Sequence, residues 1–419
     1  MNSNRTLSIH QPEDFLGYIP HMLGYWPEDS LVAITLQGKV LGATLRVDLP
    51  AGGSQQALDA FADHVRSYLI ADEDANGVVL AVYTDAGWTD GSVVRQTIPL
   101  LEALEQSLDQ VDLSVRDAWL VGSEYWRGAY CSDEECCPDP GLPVDRIKDS
   151  RLSAEMVYQG SSIGPSPASG FGRRRPAMPA VLDSSVQEAE SRYEGRLLGG
   201  WRSEVCLDAV LAVWQHVLDS GGQPAAKRPG AAADVTGFLR ATLKVPAWRD
   251  AVAVMAAAGI ESAKSGAEAF GLFTGDESDN PPFDPRELGV PTPGIPTPAM
   301  APTGSPGPAD AFTYGDVLLG MQPEMPHWSH LDVLHHVLAG LCVDDEPGEV
   351  AAAAWTLRGW ISWCKGSGSI AHACLTRAEL ANPGYRLAEL LSEILGQGTI
   401  CAWARRPGSA WRGSRNAIV

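Results

Sequence analysis

Long apolar runs, basic charge and the usual metal and nucleotide signatures are what this chain has little of. No window approaches the roughly 18 apolar residues that a spanning helix needs. Met1 to His10 carries Arg5 but no apolar stretch after it, so no secretory leader is expected either. Basic residues are outnumbered, with 31 Lys and Arg against 52 Asp and Glu and a formal charge of -21. Such a field repels phosphate backbones and disfavours nucleic acid or an anionic membrane as a partner of the main body. Gly52-Gly53 follows a strand-like run but lacks the further glycines and the Lys-Ser/Thr of either nucleotide fingerprint. No His-Glu-x-x-His and no paired Cys-x-x-Cys occurs, and no Ser-His-Asp ordering or nucleophile elbow stands out. Eight cysteines in 419 residues, five of them isolated in helix-like segments, do not make a secreted disulfide framework. A cytoplasmic protein is expected.

What is present is enough apolar material, 45% of residues, for folded domains, and a length that favours two of them plus linkers. The first 159 residues read as an α/β domain with a mixed sheet, in the order β-β-α-β-α-β-β. Leu31 to Leu36 is β-rich and fit for burial on both faces. Gln37-Gly38-Lys39 turns the chain into a second strand, Val40 to Val47. Ser54 is placed to cap a helix carrying Leu58, Phe61, Ala62, Val65 and Leu69 at helical spacing. Val78 to Tyr83 is a third strand, and Ile98, Leu101, Leu104, Leu108 and Val111 stripe a second helix. Pro99 suits that helix's first turn if Thr97 is the cap, but would kink a helix begun at Ser92. Val115 to Val121 and Trp126 to Cys131 complete the sheet.

The remainder reads as all-α. Residues 160–180 form a Gly/Pro/Ser loop broken by Arg173-Arg174-Arg175, and 181–271 are helical, with Leu207, Val210, Leu211, Trp214 and Leu218 as a core stripe. Ten of the 30 prolines lie between Pro281 and Pro308, so 272–326 is expected to be an extended linker. Helices resume over 327–404. There Trp355, Gly359, Ala371, Ala378 and Pro383 fall at tetratricopeptide spacings, although Arg358 and Ser362 depart from the pattern and one repeat alone is visible. A partner-peptide groove and an ordinary helical hairpin are both open readings. The tail, 405–419, is basic with Trp411 in it and Trp403 just before it, the one place to look for an anionic partner.

Two stretches carry candidate chemistry. Tyr130-Cys131-Ser132-Asp133-Glu134-Glu135-Cys136-Cys137-Pro138 sets three thiols within seven residues at a strand end. Three thiolates and one further ligand would satisfy zinc, although neighbouring Cys136 and Cys137 rarely ligate one ion. A nucleophilic thiol is opposed by the surrounding carboxylates unless a cation such as Arg127 intervenes. A buried structural role is the third reading. Arg46 and Asp48, two apart on one strand face, would orient a polar ligand or simply pair at the sheet edge. Together with Tyr130 and the three cysteines they make one expected ligand pocket. His327, His330, Asp332, His335 and His336 also ask for a metal audit, with Asp332 and His336 sharing a helix face.

The opening Pro12-Glu13-Asp14, the run Leu23-Gly24-Tyr25-Trp26-Pro27-Glu28-Asp29-Ser30-Leu31-Val32 and the close Leu45-Arg46-Val47-Asp48-Leu49-Pro50 resemble the actinobacterial family called domain of unknown function 4192. The cysteine loop and the C-terminal Trp-Gly-Ala-Pro helices are similar to it as well. The resemblance implies a soluble protein of undefined role. From the residues, a non-enzymatic ligand-binding or regulatory protein is expected, with an enzyme using the cysteine loop, and zinc as its possible cofactor, as the alternative.

Overall fold

The computed structural model describes residues 9–50, 52–158, 161, 163–164, 182–197, 199–222, 230–273, 282–291, 312–343, 346–397, 399–406 and 408–411. The chain divides into two compact units, Met1–Arg173 and Arg174–Val419.

In the first unit the β-rich runs become β1 (Ser30–Gln37), β2 (Val40–Asp48), β3 (Gly77–Tyr83), β4 (Val115–Val121), β5 (Tyr125–Gly128) and β6 (Leu142–Pro143). They form one mixed sheet in the order β2-β1-β3-β4-β5-β6, in which β3 and β4 are the parallel pair and the others are antiparallel. Gly38, at φ 65°, makes the β1–β2 turn. β3 is buried along its whole length, because both faces of the sheet are covered. Side chains alternate between those faces. Leu31, Ala33, Leu80, Val82 and Leu120 pack under α2 (Gln55–Leu69) and α3 (Val93–Asp109). Val32, Ile34, Ala81, Tyr83 and Trp119 pack under α1 (Pro12–Leu23) and the short α4 (Asp145–Lys148), which leads into α5 (Arg151–Tyr158).

Ser54 caps α2 as its sequence suggests, accepting from the Ala57 N–H. α3 departs from expectation: it starts after Ser92 and carries Pro99 inside. Thr97 does not cap it. Its hydroxyl instead donates to the Val93 carbonyl at 2.8 Å, while Asp90 accepts from the Ser92 N–H and hydroxyl and fixes the earlier start. β6, α4 and α5 are additions to the expected order, and so is α1. Its signals are compact: Pro12 in the first turn, Glu13 and Asp14 at the positive end of the helix dipole, and Gly24 at φ 81° closing onto the Pro20 carbonyl.

The second unit is helical: α6 (Ser184–Leu197), α7 (Glu204–Asp219), α8 (Ala231–Leu243), α9 (Pro246–Ala258), α10 (Ile260–Ala269), α11 (Tyr314–Leu318), α12 (Trp328–Leu341), α13 (Glu349–Cys364), α14 (Gly368–Ala381), α15 (Arg386–Gly396) and α16 (Ala402–Arg405). Helices from both sides of the proline-rich stretch join in it. Arg240 of α8, 3% exposed, binds Glu190 of α6 at 2.6 Å, Glu346 before α13 at 2.5 Å, and the Leu341 carbonyl ending α12. Arg249 of α9 donates to the Tyr385 hydroxyl at 2.5 Å.

Within 272–326, Pro285–Leu288 forms a 3-10 turn, and Phe283 beside it packs on Phe238 at 4.8 Å. Residues 292–311, most of the proline-rich run, lie outside the described residues, as do Arg173-Arg174-Arg175 and most of the 160–180 loop. Of the tail, 412–419 lie outside them too. Trp403 is fully buried, and Trp411 takes Lys365 over its ring at 4.8 Å.

Candidate metal centre

The three loop thiols are brought together. The Sγ atoms of Cys131, Cys136 and Cys137 lie within 4.8 Å of one another, the one such cluster of potential ligands among the described residues. The local chain explains how. β5 pairs with β6 only at Tyr125 and Trp126, so the outer edge of β5 is uncovered beyond them. The Ala129 N–H turns inward to the Ala118 carbonyl of β4, and alternation then sends the Gly128 N–H outward. There it donates to Cys137 Sγ at 3.4 Å. A tight turn folds the loop back on itself: the Cys137 N–H donates to the Asp133 carbonyl at 2.7 Å, and the Glu135 N–H to the Asp133 carboxylate at 2.9 Å. Arg127 holds the loop's start, donating to the Cys131 carbonyl at 3.3 Å. That turn is why Cys136 and Cys137, adjacent in sequence, present their sulfurs to one point.

Cys137 is buried, Cys131 half-buried and Cys136 exposed. The thiols are unequal in acidity. A backbone N–H at Asp133, aided by the other two thiols, lowers the Cys131 pKa. Donation to Cys131 and the charge of Cys137 push Cys136 up to about 11. Three neighbouring thiols cannot all ionise without a cation among them, and a divalent metal is the cation that suits thiolates. Zinc–sulfur bonds of about 2.3 Å set tetrahedral sulfurs about 3.8 Å apart. The cluster therefore needs to contract by about an ångström at most.

The other expected pocket members lie elsewhere. Arg46 pairs with Asp48 at 2.5 Å and donates to the Glu28 carbonyl at 3.2 Å. Following the register, Arg46 faces Val32, then Ala81, Trp119 and Gly128, so four strand spacings separate it from the cysteine loop. At about 4.8 Å per strand that is about 19 Å. The shared cavity expected for Arg46, Asp48 and the thiols is therefore not formed. Tyr130 is next to Cys131 in sequence, yet its hydroxyl donates to Glu105 of α3 at 2.7 Å, and burial with that carboxylate raises its pKa.

Among the described residues the histidine group does not gather three ligands, although the His327 and His330 rings meet edge-on at 5.7 Å. Asp332 pairs with Lys365 at 2.5 Å and His330 with Asp219 at 3.3 Å, while burial and the nearby Arg358 and Lys365 hold His335 near a pKa of about 4. Gly128 was not anticipated, and its one signal is a glycine at a strand end just before the thiols. A further pattern passed over is Gly160-Ser161-Ser162-Ile163-Gly164, which has Gly-x-Ser-x-Gly spacing. It follows helix α5 rather than a strand, so the nucleophile elbow's strand-to-helix context is missing, and Ser162 lies outside the described residues.

The family model for domain of unknown function DUF4192 matches residues 12–270 and 335–400. The chain belongs to this family. The matched residues of this DUF4192 protein include α1, the whole sheet, the cysteine loop and the α13–α14 hairpin. The unmatched interval, 271–334, contains the proline-rich run. No curated protein and no solved structure matches the chain. No helix among the described residues is long and apolar enough to cross a membrane.

Proposed function

We propose that this DUF4192 protein is a non-enzymatic regulatory protein whose first unit binds zinc through Cys131, Cys136 and Cys137. The convergence of three sulfurs within 4.8 Å carries the proposal. The Gly128 N–H supports it, because an N–H donated to a ligating sulfur favours the thiolate. With Cys137 buried and Cys136 exposed, the fourth coordination position opens to solvent, where a small ligand or a partner's side chain completes the tetrahedron. A cytoplasmic setting, which keeps thiols reduced, belongs to the same proposal.

The proposal assigns no partner groove to α13. Fourteen of its sixteen residues are buried.

Elemental analysis of purified protein tests the assignment. About one zinc per chain is expected, lost in Cys131→Ser and Cys137→Ser variants that remain folded by circular dichroism. Metal-free protein with all loop thiols titratable, after purification without chelators and with added zinc, overturns it. The enzymatic alternative rests on the lowered Cys131 pKa. It would require Cys131 to outpace a free thiol toward an alkylating agent at neutral pH in metal-loaded protein.

A further inference from the structure

The first unit also holds a cavity that none of the three thiols lines. Between α1, the turn after it and the α4–α5 segment is a cavity of about 340 Å³, within the range of small-molecule sites. Gly17 and His21 of α1, Trp26, Lys148 of α4, and Ser153 and Val157 of α5 supply its walls. Gly17 sets the helix spacing. A Cβ there would fall 2.7 Å from Ser150 Oγ and 3.1 Å from the Ile147 carbonyl, so α1 meets the α4–α5 segment at backbone contact.

The His21 ring, 3% exposed, is tied at both nitrogens: Nε2 to Ser153 Oγ at 2.9 Å and Nδ1 to Ser161 Oγ at 3.0 Å. Fixed this way, it makes a rigid polar wall and joins three chain segments.

The rest is apolar, with one cation. Val157 and Ile163 line the cavity yet are 58% and 41% exposed, so aliphatic groups form its rim. Lys148 Nζ stands 5.8 Å from the Trp26 ring centre, and its ion-pair partner Asp145, at 3.2 Å, is a surface carboxylate 80% exposed. Such a pair is weak and readily exchanged. Two neighbouring carboxylates are already engaged, Glu13 by Arg146 at 3.5 Å and Asp14 by the Leu152 and His10 N–H groups. The cation is therefore the charge that the wall offers to a guest.

We propose that this cavity binds a small amphipathic carboxylate, its apolar body against Trp26, Val157 and Ile163 and its carboxylate at Lys148. Calorimetric titration of the full chain with octanoate, octanol and octylamine tests it. Octanoate is expected to bind best, with octylamine weaker by about tenfold. Lys148→Ala should weaken octanoate about fivefold while leaving octanol unchanged, the scale of one exposed ion pair. Val157→Trp, at an exposed rim position, should fill the mouth and abolish binding of both without lowering the melting temperature. A Cys131→Ser/Cys137→Ser variant should bind octanoate as the parent does, which separates this site from a carboxylate ligating zinc. Equal binding of octanoate and octylamine, no effect of Lys148→Ala, no octanoate binding at millimolar concentration, or loss of binding in the cysteine variant would each overturn the proposal.

Discussion

Single atoms decide the chemistry of the cysteine loop. Gly128 both donates its N–H to Cys137 and leaves the space the loop occupies, since a Cβ there would lie 3.2 Å from Cys131 Cβ and 3.7 Å from Cys137 Sγ. Gly128→Val should displace the sulfurs and weaken zinc binding by about 10-fold, the usual scale for groups that position metal ligands. Competition with a chromogenic chelator would measure it, and unchanged affinity would remove Gly128 from the site. The unequal thiols make a second prediction in chelator-treated protein. The lowered pKa of Cys131 means its thiolate forms first as pH rises, and Cys136 follows only toward about 11. Mass spectrometry after pulsed alkylation should show Cys131 modified at lower pH than Cys136; the reverse order would contradict the hydrogen-bond directions described above. The grouping of three thiols was legible in the sequence. Their convergence was not, because adjacent cysteines point to one side only when a turn such as that closed by Asp133 reverses the chain.

At the scale of elements, hydrophobic alternation and periodicity were sufficient for β1 to β5 and for α2. Where they misled, a local contact won. Asp90 starts α3 at Ser92 despite Pro99, and α1 escaped because Phe15, Leu16 and Ile19 make too short a stripe to stand out beside its helix-start and helix-stop residues. The C-terminal hairpin is formed by α13 and α14, which meet closely at Gly359. A Cβ on Gly359 would sit 3.1 Å from both the Ala371 carbonyl and the Leu375 side chain. The carbonyl belongs to backbone and cannot turn aside. Gly359→Leu is therefore expected to destabilise the protein by about 1–3 kcal/mol, as overpacking does, read from the urea midpoint. A neutral substitution would mean that the helices separate at little cost.

Across the whole chain, what the sequence left open was which elements are neighbours. Periodicity says that a strand is buried, not which strand lies beside it. Arg46 therefore emerged on the edge strand β2 rather than beside the cysteines. Likewise, nothing in the local pattern of 181–271 announces its union with 327–404, which depends on long-range pairs such as Arg240 with Glu346. Removing Arg240 leaves the buried Glu190 with Lys244 alone and takes the ion pair from the half-buried Glu346, so Arg240→Ala should cost about 3 kcal/mol in chemical denaturation, the lower end for a broken buried pair. Burial would raise the Glu190 pKa, but hydrogen bonds from Lys244 and Arg240 hold it below its usual value of 4.5. A depressed carboxylate stabilises the fold above that ordinary value and loses its contribution as pH falls through the native pKa. Stability of the second unit should therefore decline below about pH 4.5, and less steeply in Arg240→Ala.

The zinc assignment is tested most directly by X-ray absorption at the zinc edge of the purified full-length protein. Three sulfur neighbours at about 2.3 Å with one lighter ligand are the expected shell. A shell of nitrogen and oxygen alone, or unaltered sulfur scattering after Cys131 and Cys137 are replaced by serine, would contradict it.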